Sequence, residues 1–383
     1  MQQTPAITPE ASSRDFRCFH VKPSAWQWLT LGVALLVLVP LSVLFFAWTE
    51  PAWDIWQHLR ETLLSRLLLN TMILVVGVSS GTLLIGISLA WLTGACDFPG
   101  RRVFSWALLL PLAMPTYVLA FVSLGIFDFT GPVQTQLREW FGRGAWFPDM
   151  RSAGGVVLVM SLALYPYVYL LARNAFRTQG KRALEAAQSL GCSPVGGFFK
   201  VVLPMARPWI TGGATLVLME ALADFGAVSI FNYDTFTTAI YKAWFGFFSL
   251  SAAAQLSSLL VAMVFVLVAI EQRLRKRMRF AQSRITPQTE SIKLTGGRKW
   301  LATGYCTGIL SIAFLLPALQ LISWSLEIFH EEFDSRYLGL LGHSLALGLM
   351  SALLIAATAL LLAYAGRRHQ DRLTHGLIRT ATL

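Results

Sequence analysis

Two carboxylates lie inside an apolar stretch of the chain, where ionisable side chains are uncommon. Glu220 and Asp224, in the segment MEALADFGAVSIF, are four residues apart, so a helix would place both on one face. Carboxylates within a membrane span are costly and commonly face the interior of a helix bundle, which makes the pair a candidate cation pathway. Hydrogen bonding to neighbouring helices or to the adjoining loop is the alternative, and the sequence leaves both open.

The sequence offers little support for enzyme chemistry or for a structural metal. Its six histidines are not clustered, and no H-E-x-x-H motif occurs. The cysteines are scattered without a C-x-x-C spacing, which predicts neither a disulfide framework nor a zinc site; they are Cys18, Cys96, Cys192 and Cys306. We therefore assign no catalytic residue and no metal ligand, and an enzyme acting within the membrane is the weakest hypothesis.

The elements that position these residues are predicted to be membrane helices. Hydrophobic residues make up 55% of the chain and charged residues only 13%, against about 25% charged in ordinary soluble domains. Apolar runs near the roughly 20 residues that cross a bilayer are continuous rather than alternating, which favours helices over a barrel. The fold class is therefore all-α, a polytopic membrane helix bundle. Eight spans are predicted, at residues 27–48, 67–94, 103–127, 154–172, 209–231, 251–270, 300–324 and 344–366.

Lysine and arginine are distributed unequally between the two sets of connecting segments. The N-terminus, the loops at 95–102, 173–208 and 271–299, and the C-terminal tail together hold 24 of the 31 basic residues. The positive-inside rule places this set, and with it the N-terminus, in the cytoplasm. The run of five basic residues between positions 273 and 279 is expected to contact anionic lipid headgroups rather than nucleic acid.

The polar segment between the fourth and fifth spans carries the most specific pattern in the chain. Residues 181–190 have a composition that favours a helix, and Gly191 can adopt the left-handed conformation that ends one. Ser193 and Pro194 are typical of an N-cap and of the first position of a second helix. The segment is therefore predicted to form a helical hairpin.

The same segment contains seven residues at a recognisable spacing: Glu185, Ala186, Ala187, Gly191, Val201, Leu203 and Pro204. We expect Leu203 and Pro204, with Pro208, to break the hairpin and to redirect the chain into the fifth span. A short helix that a partner can push would act as a lever on the spans it connects.

The spacing resembles the EAA-x3-G-x9-I-x-L-P loop of ABC-importer permeases, with Val201 in the isoleucine position as the single departure. The resemblance implies that the hairpin is a coupling helix that docks into a groove on a separate ATPase dimer. It further implies a polar contact for Glu185, close approach at Ala186 and Ala187, and a turn at Gly191. The chain has no G-x-x-x-x-G-K-[ST] phosphate loop, so ATP is expected on the partner subunit and no cofactor on this chain.

The start of the chain is partly repeated near its end. Asn70-Thr71 and His343-Ser344 each open an apolar helix at an offset of 273 residues. The repeat predicts a two-unit layout, and we expect the sequence to be the front part of a longer chain. The predicted domains are a cytoplasmic N-terminal segment (1–25), a six-helix permease unit (26–270) with its loop at 173–208, a basic cytoplasmic linker (271–299) and the first two helices of a second unit (300–383).

Residues 222–246, LADFGAVSIFNYDTFTTAIYKAWFG, together with the two-unit layout, resemble the ferric-iron permeases of binding-protein-dependent ABC importers, over about residues 60–380. The resemblance implies a multi-pass protein of the bacterial inner membrane that accepts ferric iron from a periplasmic binding protein and moves it by alternating access. Related permeases for thiamine, phosphonate, sulfate or polyamines are the alternatives. The competing class is a secondary transporter, in which Glu220 and Asp224 bind protons or sodium and no ATPase is needed.

Overall fold

The structure, a computed structural model, describes residues 25–49, 53–142, 146–276, 291–332 and 335–368. Eight helices in these ranges are long and apolar enough to cross a membrane. The predicted all-α fold class and number of spans are therefore confirmed. The chain divides into two compact units, one formed by residues 43–333 and the other by the remaining residues.

The helices differ greatly in length because the membrane spans must satisfy their backbone groups internally, whereas the connecting segments need not. The N-terminal part contains α1 (Ala25–Phe46), α2 (Trp53–Thr62), α3 (Leu64–Ala95), strand β1 (Cys96–Asp97), α4 (Arg101–Ala107), a 3₁₀ turn (Leu110–Ala113), α5 (Thr116–Phe127) and α6 (Pro132–Phe141). The middle part contains α7 (Ala153–Ala175), a π turn (Phe176–Gly180), α8 (Lys181–Ser189), α9 (Pro194–Gly197), a second π turn (Phe198–Val202) and α10 (Leu203–Ala223). The remainder contains α11 (Gly226–Ile230), α12 (Phe236–Tyr241), a π turn (Lys242–Gly246), α13 (Leu250–Lys276), strand β2 (Ile292–Lys293), α14 (Gly297–Leu310), a π turn (Ser311–Leu315), α15 (Leu316–Glu332) and α16 (Ser335–Arg368).

α7 is the central helix of the unit formed by residues 43–333, and α3 and α10 pack directly against it. Glycines make these approaches close. A Cβ atom on Gly77 of α3 would lie 2.8 Å from Val157, and one on Gly81 would also overlap an α7 side chain. On α10, a Cβ atom on Gly213 would lie 2.7 Å from the Cα of Val168. Contacts this short leave no room for a larger residue, so the three helices form one tightly packed core.

The third predicted span, residues 103–127, is not a single helix. The chain instead forms α4, a 3₁₀ turn and α5, with two prolines in the interruption. Two buried tyrosines of α7 bind carbonyl groups next to it: the Tyr165 hydroxyl donates to the Leu108 carbonyl at 3.0 Å, and the Tyr169 hydroxyl donates to the Ser105 carbonyl at 3.2 Å. The prediction of one span was wrong because apolar composition cannot reveal that another helix replaces the missing intrahelical bonds.

Residues 291–310 pack on the earlier spans. The strands β1 and β2 pair in parallel, with Cys96 opposite Ile292. Further along, the Tyr305 and Ser88 hydroxyl oxygens are 2.7 Å apart, which links α14 to α3. α14 and α15 therefore lie in the same compact unit as the second to sixth spans.

The assignment of residues 300–383 to a second permease unit stays a prediction, as does the linker at 271–299. α13 continues to Lys276, inside the predicted linker. Residues 1–24 and 277–290, which hold most of the predicted N-terminal segment and part of the basic run, lie outside the described residues.

Candidate functional site

The predicted hairpin is present, and both of its arms are continuous with membrane spans. The first arm runs from α7 through a π turn into α8, and the second runs from α9 through a π turn into α10. The expected break at Leu203, Pro204 and Pro208 is wrong, because Pro204 lies in the first turn of α10 and Pro208 lies within the same helix. A proline in the first turn of a helix is tolerated because few of the amides there have an intrahelical partner. The hairpin is therefore an extension of two spans rather than a separate surface element.

The turn of the hairpin closes in the manner predicted. α8 ends at Ser189, and Gly191 adopts a φ of +84°. The Gly191 amide donates to the Gln188 carbonyl at 2.9 Å and the Cys192 amide donates to the Ala187 carbonyl at 3.0 Å, which are the two bonds of a Schellman motif. The turn therefore depends on a left-handed residue at one position.

The second helix of the hairpin begins with the predicted cap. The Ser193 hydroxyl accepts a hydrogen bond from the Gly196 amide at 3.1 Å, and Pro194 occupies the first helical position. Gly197 lies against α8, where its Cβ atom would be 3.1 Å from the Cβ of Ala187. A glycine and an alanine at this crossing allow the two helices to touch.

The three residues of the EAA sequence have different surroundings. Ala187 is buried inside the hairpin, whereas Glu185 and Ala186 are exposed. The Glu185 carboxylate is 3.6 Å from the ammonium group of Lys181. Two large apolar side chains near the turn are strongly exposed, with 85% of Leu190 and 67% of Val195 accessible to solvent. The outer face of the hairpin thus combines an acid, a small residue and uncovered apolar surface.

The base of the hairpin is held by an aromatic cluster that the sequence analysis did not identify. Trp91, near the end of α3, contacts Phe176 and Phe198 edge-on, with ring centroids 5.4 Å and 4.9 Å away. These phenylalanines begin the π turns of the two arms. Val201 and Leu203 are partly buried and pack against the hydrophobic core to which Phe176 belongs. Position 91 has no short-range signal that could have pointed to this role, because its partners are about 85 and 107 residues further along the chain.

Asp224 is the C-terminal cap of α10, which ends at Ala223; its φ of −66° is still helical, and its ψ of 125° directs the chain out of the helix. One Asp224 carboxylate oxygen accepts a hydrogen bond from the Ala227 amide at 2.9 Å, at the start of α11, and the other accepts from the Thr116 hydroxyl. A short acidic side chain that binds nearby amides competes with helix continuation. The shared helix face of Glu220 and Asp224 stays a prediction, and the structure adds that Asp224 caps the end of α10.

Glu220 remains on α10 and is exposed. Of the predicted pair, Glu220 is therefore the exposed residue. Asp224, at the end of α10, instead forms hydrogen bonds with residues of α11 and α5.

Residues 83–280 match the family described as the inner membrane component of binding-protein-dependent transport systems. The chain belongs to this family. It is the permease of a binding-protein-dependent ABC importer and a multi-pass protein of the inner membrane. The matched range contains the hairpin, both of its arms and Glu220.

Two curated proteins illustrate the similarity. The Fe(3+)-transport system permease protein FbpB 2 of Haemophilus influenzae is 31% identical over 359 residues, which are 91% of this permease and 66% of that protein. The probable molybdenum ABC transporter permease protein HVO_B0370 of Haloferax volcanii is 31% identical over 255 residues, or 65% of this permease and 88% of that protein. The permease thus spans about two thirds of the length of the Haemophilus protein.

A solved structure of a bacterial ABC transporter, involved in the import of the acidic polysaccharide alginate, has a similar fold. The TM-score is 0.51 at 16% sequence identity, and the alignment covers 66% of this permease and 96% of the matched chain. The likeness confirms the type I importer permease fold.

Proposed function

We propose that this permease moves ferric iron across the inner membrane by alternating access, driven by a separate ATPase dimer that docks on the hairpin. The observation that supports iron is the extent of the similarity to the Haemophilus ferric-iron permease, which runs along 91% of the chain. The accessible carboxylate of Glu220 on α10 suits a cationic substrate. A periplasmic binding protein would deliver the iron, and ATP would bind only to the partner subunit.

The hairpin offers a direct mechanical route for the coupling. Its outer face presents Glu185, Ala186 and exposed apolar side chains to a docking partner, and Gly191 holds the turn. Because the arms continue into α7 and α10 without a loop, a displacement of the turn shifts both spans. ATP binding would close the ATPase dimer and move the hairpin, and hydrolysis would reset it.

The positions buried in the hairpin have a supporting role in this proposal. Ala187 packs against Gly197, so close approach to the ATPase falls to Ala186. Val201, Leu203 and the half-buried Pro204 anchor the second arm rather than contact a partner.

Molybdate is the second candidate substrate, because the Haloferax relative is named for molybdenum and reaches the same identity over a shorter range. Thiamine and phosphonate are further alternatives. The test is uptake of radiolabelled ferric ion and of radiolabelled molybdate in cells that express the complete permease gene with its partner subunits. ATP-dependent uptake of iron alone supports the proposal, and uptake of molybdate alone refutes it.

Coupling is tested by a variant that cannot form the turn. Gly191→Pro fixes a negative φ and removes the amide that donates to Gln188, so we expect uptake to stop. Gly304→Ala is the matched control, because Gly304 lies on α14 with open space around its Cβ position. Equal uptake in the Gly191→Pro and Gly304→Ala strains would contradict the proposed coupling.

Copurification separates this mechanism from a secondary transporter. Glu185→Arg should abolish association with the ATPase, because it reverses the charge of an exposed acid on the docking face. Glu139→Arg, the same reversal at an exposed acid of α6, should leave the association unchanged. If no ATPase copurifies with the wild-type protein and uptake follows a proton or sodium gradient, the secondary transporter is correct.

A further inference from the structure

A cavity of about 730 Å³ with four arginines on its walls lies where the chain turns from α3 into α4, beside the end of α7. We call this cavity the arginine pocket; the residues that matter here are Arg101, Arg102, Arg173, Arg177, Asp97 and Ser105. All of them belong to the unit formed by residues 43–333. The pocket is separate from the outer face of the hairpin, although two of its arginines lie on the arm that leads there.

One of the four arginines, Arg101, stabilises the end of α3. The Arg101 guanidinium donates to the Thr93 carbonyl at 3.0 Å and to the Gly94 carbonyl at 3.2 Å, at the end of α3. It also lies 4.0 Å from the carboxylate of Asp97, the acid that lines the pocket. Arg101 therefore caps α3, and Asp97 offsets the charge of Arg101.

The other three arginines have no acidic partner in the part of the chain that the structure describes. No carboxylate in the described ranges forms an ion pair with Arg102, Arg173 or Arg177. The Nε atom of Arg173 is buried and has no hydrogen-bond partner among the described residues. A buried guanidinium nitrogen without a partner is costly, so a ligand that accepts its hydrogen bond would stabilise the site.

Some basic residues elsewhere in the same unit form ion pairs. The Arg151 guanidinium is 2.9 Å from the Asp128 carboxylate, and the Lys242 ammonium is 2.6 Å from the Asp234 carboxylate. What distinguishes the arginine pocket is that three arginines without an ion pair among the described residues line a single cavity, and this concentration of positive charge points to an anionic ligand from outside the chain.

We propose that the arginine pocket binds a phosphate group, and that the source of this phosphate is the headgroup of an anionic phospholipid. Guanidinium groups match the geometry of phosphate oxygens and bind them in a bidentate manner. α4 favours a lipid over free phosphate, because Val103 and Trp106 follow the arginines and are 54% and 58% exposed. Apolar side chains and an exposed tryptophan beside a basic cavity are typical of the membrane interface, where basic pockets between helices hold anionic headgroups.

The test measures lipid binding to the purified full-length permease by native mass spectrometry. The probes are dioleoyl phosphatidylglycerol and, as the zwitterionic comparison, dioleoyl phosphatidylcholine. Because each basic residue near a membrane surface contributes about fivefold to the binding of an anionic lipid, we expect Arg102→Gln to weaken phosphatidylglycerol binding about fivefold. The triple variant Arg102→Gln, Arg173→Gln and Arg177→Gln should weaken it about a hundredfold.

The matched control removes the same charge from exposed positions elsewhere, with Arg60→Gln, Arg207→Gln and Arg336→Gln. We expect the control to bind phosphatidylglycerol as the wild type does, and millimolar inorganic phosphate not to displace the lipid. If the triple variant and the control variant bind phosphatidylglycerol equally well, the arginine pocket is not the lipid-binding site. If inorganic phosphate displaces the lipid, the ligand of the pocket is a free anion rather than a lipid headgroup. Arg102 is exposed, so the single variant keeps the test valid if the triple variant is not stably folded.

Discussion

The turn of the hairpin provides a sharp test of the proposed coupling, because Gly191 combines a φ of +84° with open space around its Cβ position. Alanine at this position meets no neighbouring atom within 4 Å, so its effect is purely one of backbone conformation. A residue with a Cβ atom pays about 1–2 kcal/mol in the left-handed region. The equilibrium constant for forming the turn should therefore fall by a factor of about 5 to 30. Asparagine tolerates this region better than alanine, so Gly191→Asn should retain most of the turn.

The assay is the affinity of the ATPase partner for the permease in lipid nanodiscs, together with the ATPase rate that docking stimulates. We expect affinity to decrease in the order glycine, asparagine, alanine and proline. Proline should be the weakest because Gly191→Pro also loses the 2.9 Å hydrogen bond to the Gln188 carbonyl. Gly304→Ala, on α14, should behave as the wild type.

Two results would contradict a role for the Gly191 turn in docking. If Gly191→Asn weakens docking more than Gly191→Ala, side-chain size rather than backbone conformation controls the interaction. If Gly191→Ala and Gly191→Pro both bind as the wild type does, the turn does not contribute to docking and the ATPase contacts another surface.

Three further predictions concern packing and reactivity. Gly213→Ala places a Cβ atom 2.7 Å from an α7 Cα atom; it should cost about 1–3 kcal/mol and lower the midpoint of thermal unfolding in detergent, whereas Gly304→Ala should not. Tyr169→Phe leaves the half-buried Ser105 carbonyl of α4 without its donor, which should cost about 1 kcal/mol in the same measurement; an unchanged midpoint would contradict the anchoring role. Burial raises the pKa of the Cys96 thiol to about 11, so its thiolate is scarce at neutral pH. Among the three cysteines of the described residues, maleimide labelling at neutral pH, mapped by mass spectrometry, should modify the half-buried Cys192 before Cys96; preferential labelling of Cys96 would argue against its burial.

The local parts of the candidate site were predictable because they follow short-range rules. A glycine that ends a helix, followed by serine and proline, specifies a capped turn within a few residues, and Gly191, Ser193 and Pro194 behave in that way. The EAA spacing also located the hairpin and the family from the sequence. The roles of the individual hairpin residues in docking stay predictions.

The surroundings of those residues were not predictable. The sequence does not distinguish Ala186 from Ala187, and only the crossing of α8 with Gly197 buries one and leaves the other exposed. The expected break after the hairpin was wrong because proline is tolerated at the start of α10. The sequence also did not show that Asp224 ends α10, because this depends on its carboxylate binding an amide beyond the helix.

Long apolar stretches and the EAA spacing were enough to predict a helical membrane permease, since a bilayer requires helices whose backbone is satisfied within each span. The same local patterns located the hairpin and its turn. The tertiary structure was needed to show that the hairpin arms continue into α7 and α10, that tyrosines of α7 support the broken third span, and that Trp91 contacts both arms. It likewise brought together the arginines of α4 and α7, which are about 70 residues apart in the chain. These features depend on contacts between distant segments, and such contacts have no periodicity or local signal in the sequence.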